Sequence, residues 1–90
     1  MTRIERIRTM EEKFDRALSA AEKADAALRD FEAVLPEIEE LIHYYESDTW
    51  RKDFEVDEKG KLPADLKRGV LSEDGIYNLL SDYERLKELL

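Results

Sequence analysis

Between Ile7 and Tyr45 the apolar residues fall on two interleaved series, each with a seven-residue period. Ile7, Phe14, Ala21, Leu28, Leu35 and Ile42 form one series. Met10, Ala17, Ala24, Phe31, Ile38 and Tyr45 follow three residues behind and form the other. Such alternating spacing, kept without a slip, marks one stripe of an α-helix that packs in coiled-coil fashion. A strict seven-residue repeat also implies a left-handed supercoil with whatever lies against it. The pattern predicts one long helix over residues 1–46, kinked at Pro36. A proline in a helix interior removes a backbone hydrogen bond and clashes with the preceding turn, at about 3 kcal/mol. The register nevertheless passes through Pro36 unbroken, and Ala33, Val34 and Leu35 supply no capping side chain for a fresh start. The competing arrangement makes Pro36 a first-turn residue of a second helix.

Beyond Glu46 the pattern changes. Ser47, Asp48 and Thr49 suit a stop and restart, followed by a short helical turn over Trp50 to Phe54. The polar run Glu55 to Lys61, containing Gly60, reads as a loop. Leu62 to Gly69 reads as a brief helix, with Pro63 in its first turn and Gly69 ending it in the left-handed conformation. Residues 47–71 thus form a loop-rich apex with short helical turns. From residue 72 a clear helix resumes. Ser72 is an N-cap, and Glu73 and Asp74 complement the helix dipole. Ile76, Leu79, Tyr83, Leu86 and Leu90 form its stripe, widened by Leu80 and Leu89. The predicted architecture is an all-α helical hairpin and a single domain. It has a long heptad-patterned first helix, the apex, and a shorter C-terminal helix over 72–90.

The two long elements do not match in length. At 1.5 Å per residue the first spans roughly 65 Å and the last roughly 27 Å. If the chain doubles back at the apex, Ile4, Ile7, Met10, Phe14 and Leu18 lack an intrachain partner. The positions just before each member of the first series agree: Arg6 and Lys13 are charged, whereas Ala20, Ala27, Val34 and Leu41 are apolar. A narrow stripe suits a two-helix seam and a wide one suits burial by several elements. Residues 4–28 are therefore expected to form a homodimer seam, with Ala17, Ala20, Ala21, Ala24 and Ala27 permitting close approach. The rival arrangement is a monomer whose first helix breaks near Ser19 to Ala27. Alanine is the best helix former, and this segment has no glycine or proline, which argues against such a break.

Composition narrows the function classes. The chain has 90 residues and a formal net charge of −8. An acidic surface disfavours nucleic acid, where affinity comes from neutralising phosphates. Lys59, Lys61, Lys67 and Arg68 are interleaved with Asp57, Glu58 and Asp65, so they form no basic patch. Without cysteine there is neither a disulfide framework nor thiolate chemistry. The opening Met1 to Met10 alternates isoleucine with arginine and lacks the apolar core of a signal peptide. No run reaches the roughly 18 apolar residues of a membrane span. A basic amphipathic reading of Arg3, Arg6, Arg8, Lys13 and Arg16 is offset by Glu5, Glu11, Glu12 and Asp15. Cytoplasmic residence, without membrane or nucleic-acid partners, is the expectation.

Candidate chemistry is sparse. His43 stands alone, without a matched nucleophile. Asp53, Glu55, Asp57 and Glu58 resemble a calcium loop until the sixth position, which must be glycine and is Glu58. The uninterrupted acidic run over residues 30–46 is a solvated face, or else a docking face for a basic protein partner. No cofactor or metal is called for, and no catalytic residue. Two functional readings remain. The preferred one is a non-catalytic, self-associating interaction module. Its rival is a small-molecule or enzymatic site at the aromatic apex, built from His43, Tyr45, Trp50, Asp65 and Arg68.

The stretch from Lys61 to Asp74, followed by Ile76, Tyr77, Asn78, Leu79 and Leu80, resembles the hallmark block of a bacterial family, the domain of unknown function 4298. Ile4 to Ile7 with Phe14, and Tyr44 and Tyr45 to Trp50, resemble it too, so the similarity covers nearly the whole chain. The resemblance implies no activity and carries no catalytic residues over. It makes a disguised member of a familiar enzyme class less plausible.

Overall fold

A computed structural model describes residues 2–90. It contains α1 (Arg3–Ala33), α2 (Leu35–Tyr45), α3 (Asp48–Glu58), a short 3-10 helix (Gly69–Leu71) and α4 (Glu73–Lys87). Among the described residues there is no strand, so the fold is all-α, with a long first helix and a shorter C-terminal one. The chain divides into two compact units, one ending at Ala33 and the other running from Val34 to Leu90.

The division falls where the sequence was read as a continuous helix. Val34 lies between α1 and α2 with φ −98° and ψ 3°, and Pro36 sits in the first turn of α2. The reason is proline's missing N–H. Within a helix Pro36 would leave the carbonyl four residues back without its donor, and its ring would press on that turn. In a first turn the N–H is not needed and the fixed φ is already helical. The absence of a capping side chain does not prevent the restart. Val34 accepts no side-chain cap, and its carbonyl simply takes the Ile38 N–H at 3.0 Å.

The first unit is α1 alone. At its N-terminus Thr2 and Glu5 satisfy one another: Glu5 N–H donates to Thr2 Oγ1 at 3.1 Å, and Thr2 N–H donates to the Glu5 carboxylate at 3.2 Å. This is a capping box. No residue of α1 is buried.

The second unit holds the core: Ile38 from α2, Trp50 from α3, Leu71 from the 3-10 helix, and Ile76 and Tyr83 from α4. α3 packs on α2 and on the 3-10 helix, and the 3-10 helix packs on α4. Ile76 and Tyr83 lie two turns apart on the stripe read from sequence, and Leu79, Leu80 and Leu86 are half-buried beside them. Ser72 caps α4 by accepting the Gly75 N–H at 3.2 Å.

The apex departs from expectation in two places. α3 runs on to Glu58, through residues read as loop, because Ser47 caps it and Gly60 terminates it. Ser47 Oγ accepts the Trp50 N–H at 3.2 Å. Gly60 adopts φ 68°, its N–H donates to Asp57 O, and Lys61 N–H donates to Val56 O. These two bonds are the Schellman closure, which needs a residue comfortable in the left-handed region. Conversely, Leu62 to Gly69 is not a helix. It makes one turn, with Leu66 N–H on Pro63 O at 3.1 Å, and Gly69 opens the 3-10 helix instead of ending anything. A segment this short cannot offset the cost of helix nucleation, and long-range bonds to α3 hold it in another path.

Gly60→Ala is expected to destabilise the fold by about 1 kcal/mol, the cost of a left-handed non-glycine residue. Urea unfolding followed by helical circular dichroism measures it. An unchanged midpoint would mean that the chain reroutes without strain.

Candidate functional site

Two features of the structure are available to a partner: the face of α1, and a cleft in the second unit.

On α1, the seam residues named from the heptad are all solvent-exposed. Ile4 is 62% exposed, Ile7 53%, Met10 54%, Phe14 59% and Leu18 47%. Scattered apolar side chains need no explanation, but a contiguous row does. The alanines at 17, 20, 21, 24 and 27 are exposed as well. The opposite side of α1 is charged, and Arg29 pairs with Asp25 one turn away at 2.7 Å. Pairs this exposed contribute little.

In the second unit the aromatic cluster is arranged around Trp50. Its ring meets Tyr45 edge-on, with centroids 4.9 Å apart, and stacks on Phe54 at 5.1 Å. Its indole N–H donates to the Val70 carbonyl at 3.0 Å. Burial with a satisfied polar tip is a packing role, so Trp50 joins α3 to the segment before α4.

Next to this cluster is a cleft of about 310 Å³. Tyr44 of α2, Asp53 and Val56 of α3, and Leu62, Leu66 and Arg68 of the connecting segment contribute to its walls. Its volume is at the low end for small-molecule sites, and it is mostly apolar. Three of its polar side chains are engaged within the protein, and Lys67 completes the polar part of the wall. The Tyr44 hydroxyl donates to the Asp53 carboxylate at 2.6 Å. The Arg68 guanidinium pairs with Asp57 at 2.5 Å. The bond to Asp53 pushes the Tyr44 pKa up to about 12, helped by partial desolvation and by the carboxylate charge, since ionising the phenol would cost the bond and place two anions together. Such a phenol is a poor acid at neutral pH.

Of the apex residues chosen from sequence, the structure brings Tyr45 and Trp50 together and places Arg68 at the cleft. His43 and Asp65 are exposed and do not line it. Tyr44 and Asp53, which do, were not chosen. Nothing local marks them, because their pairing depends on how α3 folds back on α2. Thr2 and Glu5 were also passed over, although a Thr-x-x-Glu spacing is a readable start signal. Among the described residues no group of three potential ligands is placed to hold a metal, and no helix is long and apolar enough to cross a membrane.

Among the described residues the protein is all-α, with an apolar face exposed along α1 and a compact helical unit over residues 34–90. The chain belongs to the family described as domain of unknown function DUF4298, whose model matches residues 7–90. Neither a curated protein nor a solved structure matches it.

Raising pH from about 10 through about 12 should progressively remove the stability contributed by the Tyr44–Asp53 bond. The folded-state phenol ionises later than the unfolded one, so that contribution is complete below about 10 and gone above about 12. Asp53→Asn should return one tyrosine to ordinary titration near pH 10 in a phenolate absorbance titration. An unchanged curve would mean the bond does not form in solution.

Proposed function

We propose that this protein is a non-catalytic interaction module that self-associates through α1, with residues 4–28 as the seam. The observation that carries the reading is the exposure of Ile4, Ile7, Met10, Phe14 and Leu18 along a single helix face with heptad spacing. An isolated helix draws most of its stability from packing of its apolar face. α1 has 31 residues and no buried side chain of its own, so a second helix on that face supplies what the chain lacks. Pairing α1 with α1 adds a dimer interface without disturbing the core around Trp50.

A second reading, a small apolar ligand in the cleft beneath Leu62 and Leu66, has the cleft volume in its favour. It weighs less, because Tyr44, Asp53 and Arg68 in its wall are already paired within the protein.

Light scattering across a concentration series should give a dimer mass. The double substitution Ile7→Glu with Phe14→Glu should shift it to monomer, raising the dissociation constant at least about a hundredfold, since each lost apolar contact is worth about 2 kcal/mol. The Tyr45–Trp50 near-ultraviolet signal should stay unchanged. A wild-type monomer at every concentration would overturn the proposal.

A further inference from the structure

The seam has an internal order that bears on how two copies meet, and the inference below rests on the self-association just proposed. Its large residues lie at one end and its small ones at the other. Ile7, Met10 and Phe14 are followed by Ala17, Ala21 and Ala24 on the same face. We infer that the partner of α1 is a second copy running antiparallel, with the two-fold axis between Asp15 and Arg16, so that Ile7 meets Ala24, Met10 meets Ala21, and Phe14 meets Ala17 of the other chain.

The first argument is volume. Two helices pack well when large side chains face small ones, because the axes then keep one separation along the seam. In the antiparallel register the layers of Ile7, Met10 and Phe14 each pair a large residue with an alanine. A parallel, in-register pair instead sets Phe14 on Phe14 and then Ala17, Ala21 and Ala24 on themselves. The axes would be forced apart at one level and left with voids at the next, and each void forfeits contacts.

The second argument is charge. The N-terminal half of α1 carries Arg3, Arg6, Arg8, Lys13 and Arg16 against Glu5, Glu11, Glu12 and Asp15, a slight excess of base. The C-terminal half carries Glu22, Asp25, Asp30 and Glu32 against Lys23 and Arg29, an excess of acid. Antiparallel pairing lays each half on its opposite and brings Arg8 alongside Glu22 and Asp25 of the other copy. A parallel pair would set Arg3, which continues the second heptad series, directly on its own copy. In the antiparallel register Arg3 instead reaches Leu28 of the second copy, over which its aliphatic stem can lie. The seam then begins and ends with the residues that carry the heptad pattern of α1.

The chain has no cysteine, so single thiols report the register without interference. Full-length variants Met10→Cys, Ala21→Cys and Leu28→Cys are mixed in pairs under a glutathione redox buffer and scored for disulfide-linked dimer. Positions 10 and 21 lie roughly 16 Å apart on one helix and cannot join within a chain. The 10–21 crosslink is expected to exceed the 10–10, 21–21 and 10–28 crosslinks by roughly tenfold, since only facing Cβ atoms meet disulfide geometry. Dominant 10–10 and 21–21 products would replace the arrangement with a parallel one. A dominant 10–28 product would shift the antiparallel register by one heptad. Either result overturns this inference and leaves self-association standing. No crosslink, together with a monomer mass for the unsubstituted protein, overturns both.

Discussion

The second unit depends on Trp50. Its ring contacts two other aromatics and its indole N–H is hydrogen-bonded across twenty residues of sequence, to the Val70 carbonyl. Without that bond the stretch from Lys61 to Arg68, which has no regular structure of its own, would have little to return it to the helices. The bond also places Leu71 in the core and brings Ser72 to the point where it starts α4. A protein of this size has a small core, in which each buried group counts for a large share of the net stability. An indole that fills space and satisfies a part-buried carbonyl at once is therefore worth more than its area alone.

The polar groups around the cleft serve the same end. Tyr44 ties α2 to Asp53 of α3, and Arg68 ties the connecting segment to Asp57 on the same helix, one turn further along. Both pairs are partly shielded, so they are screened less than the ion pairs on the outer surface. They hold the short helices in place.

Pro36 is a single residue that decides the organisation of the chain. Its position close behind Val34 permits a helix to begin and prevents one from passing through. α1 therefore has its own stability requirements, and the Thr2–Glu5 capping box meets only a small part of them. The exposed row from Ile4 to Leu18 is the larger part, and on the present reading it is met by a second chain.

The sequence by itself determined the helical class, the stripe of α1, the Ser72 start of α4 and the core face carrying Ile76 and Tyr83. Each is a matter of period or of capping chemistry within a few residues. The exposed apolar row of Ile4, Ile7, Met10, Phe14 and Leu18 on α1 is likewise a matter of helical period. Tertiary structure alone decided the pairing of Tyr44 with Asp53, of Arg68 with Asp57 and of Trp50 with Val70, since these join residues whose approach no local rule specifies. It decided the apex as well. Leu62 to Gly69 has helix-like punctuation and several good helix formers, yet a segment this short yields to the Arg68–Asp57 pair and to the Trp50–Val70 bond just beyond it. The heptad runs on across Pro36 although α1 ends at Ala33 and α2 begins at Leu35: a repeat records which residues share a face, not whether the backbone between them is unbroken.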